Sequence, residues 1–243
     1  MLSELIKEPF LGFPQDSLKF LKQLRNPKNN NTAWFAKNRD RYEYGLKKPM
    51  RDLIDELAME IGKIDKNIVV NYRSIFRINK DIRFSKDKSP YKTHMSAAFA
   101  FDKVKSWEIS QFYFHIKPEE FMIFGGQYTP ENDYLKNFRA MIFKDPESFE
   151  EIIHNKTFKK AFSELQGESF PKLPKEYSEE EIYSKYESKK EAEELIKLLK
   201  MKQIYVEKTY PVDIIFDDRI VEVIVENIKI LYPFVKYLDG AMK

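Results

Sequence analysis

The stretches His94-Met95-Ser96-Ala97-Ala98-Phe99-Ala100-Phe101 and Ile109-Ser110-Gln111-Phe112-Tyr113-Phe114-His115-Ile116-Lys117 alternate their side chains residue by residue. That is the spacing of strands, in which successive residues point to opposite faces. Ile68 to Asn79 and Glu120 to Phe124 share the aromatic, alternating character and read as two more. The links around Val104 and Pro118 are short, so sequential antiparallel pairing is expected. His94, Ser96, Ala98 and Ala100 share one face; Met95, Ala97, Phe99 and Phe101 share the other. The aromatic face belongs to a core. The small face either floors a shallow ligand concavity or receives a closely packed helix.

On either side the spacing becomes helical. Gln15 to Asn26 carries Leu18, Leu21 and Leu24 as a stripe, with Asp16 as a candidate cap. After Pro27, Asn31 or Thr32 can cap a second helix, on which Trp34, Asn38 and Tyr42 share a face until Gly45 and Pro49 interrupt it. Met50, Leu53, Ile54, Leu57 and Ile61 have core spacing on a third. Beyond the strands, Tyr134, Leu135, Phe138 and Ile142 form a stripe from Glu131, and Pro146 can start a helix carrying Phe149, Ile152 and Ile153. Glu179 to Lys200 is charge-dense and helical, Lys202 to Tyr210 reads as a strand, and Asp217 can cap a last helix reaching Leu238. The reading is one α+β domain: a helical part over 1–66, a mainly antiparallel sheet of about four to six strands over 67–130, and a helical part over 131–243.

Of 243 residues, 42% are hydrophobic and 15% aromatic, ample for a packed interior. Lys and Arg total 42 against 39 Asp and Glu, so the net charge of +3 names no partner and only local clustering can. The absence of cysteine excludes disulfides and thiolate chemistry and fits a reducing, cytoplasmic setting. Met1 to Phe10 has no signal-type apolar run, and no stretch is apolar enough to span a membrane. With three scattered histidines no metal-ligand spacing appears, and no cofactor is indicated.

Charge does cluster between Tyr72 and His94. Arg73, Arg77, Lys80, Arg83, Lys86, Lys88 and Lys92 face only Asp81 and Asp87. If Ile68 to Asn79 is a strand, Arg73, Ile75 and Arg77 share a face, and guanidinium groups on a sheet face call for an internal carboxylate or a ligand anion. His115 shares its face with Gln111 and Tyr113 and is a candidate acid or base beside Asp81 or Asp87. Gly125-Gly126 is compatible with an anion-binding turn, a hairpin or a bulge.

Asn30-Asn31-Thr32-Ala33-Trp34-Phe35 with Asn38 and Tyr42, the run Arg77-Ile78 through Lys92, Tyr113-Phe114-His115-Ile116 and Gly126-Gln127-Tyr128-Thr129-Pro130 to Arg139 resemble the family catalogued as domain-of-unknown-function family 2461. Weaker similarity at Leu173-Pro174-Lys175 and Leu199-Lys200-Met201-Lys202 extends the resemblance over most of the chain, which departs from the family at Glu176, where glycine is usual. The resemblance implies a single unit centred on the basic segment and supplies no activity. The leading expectation is therefore recognition of an anionic small molecule or nucleic acid by Arg77, Arg83, Lys88, Lys92 and Arg139, with Trp34, Tyr91 and Tyr128 as stacking surfaces. Its rivals are a hydrolase or transferase using Asp81 or Asp87 with His115, and an internal ion-pair lattice that fixes the fold.

Overall fold

The computed structural model describes residues 9–102 and 109–242. The expected link around Val104 and the chain before residue 9 lie outside them. Five strands form one antiparallel sheet: β1 (Ile68–Val69), β2 (Met95–Phe101), β3 (Gln111–Ile116), β4 (Phe121–Gln127) and β5 (Ile204–Tyr210), in the order β1-β2-β3-β4-β5. Ile68 sits opposite Phe101 and Val69 opposite Ala100. This is the α+β architecture that the alternating stretches call for.

The chain gathers into two compact units. The first comprises residues 9–102, Tyr113–Ile123 and Thr209–Ile228. Its helices are α1 (Asp16–Leu24), α2 (Thr32–Lys37), α3 (Arg39–Tyr42) and α4 (Lys48–Ile64). The α4 residues Met50, Leu53, Ile54, Leu57 and Ile61 are all fully buried, as their spacing requires. Asn31 caps α2 by accepting from the Trp34 amide at 2.9 Å. Asp16 does not cap α1; it lies inside the first turn and takes the Arg41 guanidinium at 2.6 and 2.8 Å. The Arg41 ion pair outcompetes the cap because it offers two charge-assisted bonds.

Gly45 and Pro49 do not interrupt the helical path either. Glu43–Lys47 is a π-helical turn that leads directly into α4, with Pro49 in the first turn of that helix. Proline has no amide to offer the carbonyl four residues back. That carbonyl belongs to Gly45, and it accepts instead from the Ser17 hydroxyl at 2.5 Å.

The expected strand from Ile68 to Asn79 ends at Val69. Asn71 accepts from the Arg73 amide at 2.9 Å, and Ser74 Oγ accepts from the Asn71 amide at 3.2 Å. These reciprocal local bonds close a 3₁₀ turn over Tyr72–Ser74 and displace the ladder. Arg73, Ile75 and Arg77 therefore do not line one strand face.

The second unit comprises residues 109–112, Phe124–Lys208 and 229–242. It contains α5 (Asn132–Lys144), α6 (Pro146–His154), α7 (Lys156–Phe162), α8 (Glu179–Lys185) and α9 (Lys189–Leu199). Phe138, Phe149, Phe158 and Phe234 interlock at centroid distances of 5.3 to 6.0 Å. Glu179 to Lys200 is thus two mainly solvated helices, whose inner side buries Ile182, Ala192, Leu195, Leu198 and Leu199. Gly125-Gly126 is no anion-binding turn; both residues lie inside β4. Gly126 has φ +130°, and a Cβ there would stand 2.3 Å from the Ile204 carbonyl oxygen, so glycine permits the close approach of backbone to β5. The final helix α10 runs from Arg219 to Gly240, and Asp217 accepts from the Arg219 amide at 2.9 Å near its start.

Ser17 is fully buried, so Ser17→Ala removes the hydroxyl donor from the Gly45 carbonyl. The expected loss is about 1–3 kcal/mol of unfolding free energy, read from urea denaturation.

Candidate functional site

The basic segment folds back on itself within the first unit. Asn79 and Tyr91 form an antiparallel bridge, the Lys80 amide donates to the Pro90 carbonyl at 2.8 Å, and the Lys92 amide donates to the Ile78 carbonyl at 2.7 Å. Its return arm is fixed by Asn30. The Asn30 Oδ1 accepts from the Tyr91 amide at 3.0 Å, while Nδ2 donates to the Tyr91 carbonyl at 3.0 Å and to the Leu24 carbonyl at 3.1 Å. The Tyr91 ring is buried and stacks on Phe35 with centroids 4.1 Å apart. Tyr91 is consequently an anchor and offers no open stacking face.

Between the arms, the loop spends its two carboxylates on itself. Asp81 holds Arg83 at 2.6 Å, and Asp87 holds Lys80 at 2.6 Å. The Arg83 guanidinium drives the Asp81 carboxyl down to about 2, and Lys80 with Ser89 drives Asp87 well below the carboxylate range. Lys88 Nζ donates to the Ile82 carbonyl at 3.0 Å. These contacts are short-range and exposed, so they shape the loop rather than fix the fold. Arg77 and Lys86 are exposed and have no ion pair among the described residues.

At the foot of the return arm lies a polar patch on the β2–β3 face. His94 and His115 stand 5.9 Å apart by ring centroids, and the Tyr113 ring packs edge-on to His115 at 5.7 Å. Tyr113 also bonds with Ser96. Phe76 packs edge-on to Tyr113 at 6.1 Å, and the Lys92 ammonium lies 5.2 Å over the Phe76 ring. The small face does not continue as a concavity, because Ala98 and Ala100 are buried.

The electrostatics of this patch are lopsided. Burial pushes the His94 imidazole down to about 4, and His115, Lys92, Lys117 and Lys80 add positive potential in the same direction. Burial likewise pushes the Lys92 ammonium down, with help from Arg77, and raises the Tyr113 phenol to about 12. The His94 ring makes no hydrogen bond with a described residue. His115 Nε2 lies 3.1 Å from Glu120 Oε1, and the same carboxylate takes Lys117. Burial lowers the His115 pKa, although the Glu120 bond opposes it.

The structure thus brings together Lys92 and His115, with His94, Tyr113, Lys117 and Glu120 as members that the sequence did not single out. No hydrogen bond or ion pair joins His115 to Asp81 or Asp87. Trp34 sits on α2 against Phe20 at 5.4 Å, half exposed. Tyr128 and Arg139 belong to the second unit. Tyr128 is half exposed and packs on Phe124 and Tyr205. Arg139 donates to the Leu199 and Met201 carbonyls at 2.8 and 3.1 Å and lies over Phe170 at 5.3 Å, closing the end of α9. Clefts in the second unit, such as the one lined by His154, Ser163, Glu194 and Lys197, contain none of the expected site residues. Among the described residues no group of three His, Cys, Asp or Glu could hold a metal, and no helix is long and apolar enough to cross a membrane.

Because the folded state holds His94 neutral, the unfolded chain binds its proton more readily. Stability is then fully present above pH 6.5 and is lost as pH falls towards 4. His94→Gln should flatten that slope between pH 6.5 and 4.5 by up to about 1.4 kcal/mol per pH unit, measured by urea denaturation across the range.

No curated protein and no solved structure matches the chain. One family model, described as conserved hypothetical protein DUF2461, matches residues 16–237 and takes in the anchor, the basic loop and the polar patch. The chain belongs to that family.

Proposed function

We propose that the protein binds an anionic ligand, phosphorylated or nucleic-acid-like, on the basic segment and the β2–β3 patch beneath it, in a reducing, cytoplasmic setting. One observation carries the reading: positive charge converges on an imidazole that makes no hydrogen bond with a described residue. Lys92, Lys117 and Lys80 all act on His94, and Arg77 acts on Lys92. The carboxylate bonded within the patch, Glu120, already serves Lys117 and His115. A half-buried ammonium held down by burial, and further by a neighbouring guanidinium, is stabilised by an arriving anion, since each added negative charge favours its charged form.

A phosphate oxygen beside His94 would accept from a ring N–H, with Lys92 and Arg77 as the charged donors. Binding favours the imidazolium, so ligand and proton assist each other. The catalytic alternative has no comparable support. Asp81 and Asp87 are acceptors already committed to Arg83 and Lys80, which hold both carboxyls below the usual carboxylate range and make them weak bases.

Titration with inorganic phosphate and small phosphomonoesters, followed by the His94 imidazole resonances, tests the proposal. Saturable shifts that weaken with salt and a raised His94 pKa are expected. Lys92→Gln should weaken binding about tenfold, the loss of one charge-assisted contact. Imidazole resonances unmoved by any of these anions, or equal affinity in Lys92→Gln, would contradict it.

A further inference from the structure

Phe84 is 95% exposed at the tip of the loop, more than any other large hydrophobic side chain among the described residues. It contributes nothing to the core, yet the loop that carries it is well braced. The Arg83 guanidinium is pinned by Asp81 and lies over the Phe84 ring, 5.9 Å from its centroid. Lys80 ties Asp87 and Ser89 together at 2.6 and 2.7 Å, and the Asp87 amide donates to Ser85 Oγ at 3.1 Å. Both carboxylates of the loop thus serve its shape. Lys86 is left without a described partner, and Lys88 has only a carbonyl.

The geometry points to a docking site for single-stranded nucleic acid at this tip: an unpaired base stacks on the open face of Phe84 while neighbouring phosphates meet Lys86 and Lys88. This rests on the anion-binding reading and names its partner. A flat ring with a cation on one side is the platform that any base can use, and surrounding lysines track the backbone without reading sequence. A duplex keeps its bases stacked and offers none to the ring. A bilayer fits less well, because Ile82 is half buried and one ring is a single apolar anchor, whereas stable attachment takes more than one signal.

The test is fluorescence anisotropy of a labelled, mixed-sequence single-stranded oligonucleotide with the full chain. Parallel arms use its duplex, phosphatidylserine-containing vesicles and inorganic phosphate. Salt-dependent binding that prefers the single strand is expected. Phe84→Ala should weaken it about tenfold with an unchanged melting temperature, and Phe84→Trp should retain it and be quenched on saturation. Equal affinity of Phe84→Ala for the oligonucleotide, preference for the duplex, or binding of vesicles in place of the oligonucleotide overturns the proposal. If phosphate still shifts the His94 resonances but no oligonucleotide binds, the nucleic-acid assignment falls alone; if neither binds, the anion-binding reading falls with it.

Discussion

The site depends on one amide side chain. Asn30 meets both backbone groups of Tyr91 as a neighbouring strand would, and its second N–H closes the Leu24 carbonyl. Buried polar groups are costly unless satisfied, and here each bond satisfies two at once. The result is a fixed point on the return arm of the basic segment. From it the chain can place Lys92 one residue later and His94 three residues later, while the loop between Asp81 and Ser89 projects outward. Stacking of Tyr91 on Phe35 adds an apolar contact to the same point.

Charge is divided between two regions of different character. In the loop, cations and aspartates pair locally in water, where such pairs contribute little to stability but restrict conformation. In the patch, Lys92, His94, His115 and Tyr113 are partly or wholly removed from water, so each has a shifted titration whose largest cause is burial. An anion arriving at the loop replaces water on exposed cations. One arriving at the patch also relieves groups held away from their preferred protonation state, which makes the patch the more responsive of the two.

The sheet was legible because alternation in β2 and β3 is continuous and their link into β4 is short. The helices were legible from apolar stripes such as Met50 to Ile61. What escaped was decided by individual hydrogen bonds. Asn71 and Ser74 can cap a turn or sit in a strand, and the spacing does not say which. Pro49 signals a break unless the carbonyl it orphans finds Ser17, which lies 28 residues from Gly45. The excess of cations around Arg77 to Lys92 was visible in the composition. The partition was not: Asp81 and Asp87 could have paired with any of seven neighbours. Tyr91 looked like a stacking surface because its partner Phe35 is distant in sequence, and His94 looked only like one member of the small β2 face because burial and three lysines converge on it only in the fold.

Amide hydrogen exchange in Asn30→Ala, beside the double variant Asp81→Asn/Asp87→Asn, tests most directly whether the Asn30 anchor, rather than the loop's ion pairs, builds the site. The account predicts that Asn30→Ala loses protection at Tyr91, Lys92 and Lys80 together while the amides of α4 stay protected, and that the double variant keeps all of them. Unchanged protection at Tyr91 and Lys92 in Asn30→Ala, or their loss in the double variant alone, would contradict it.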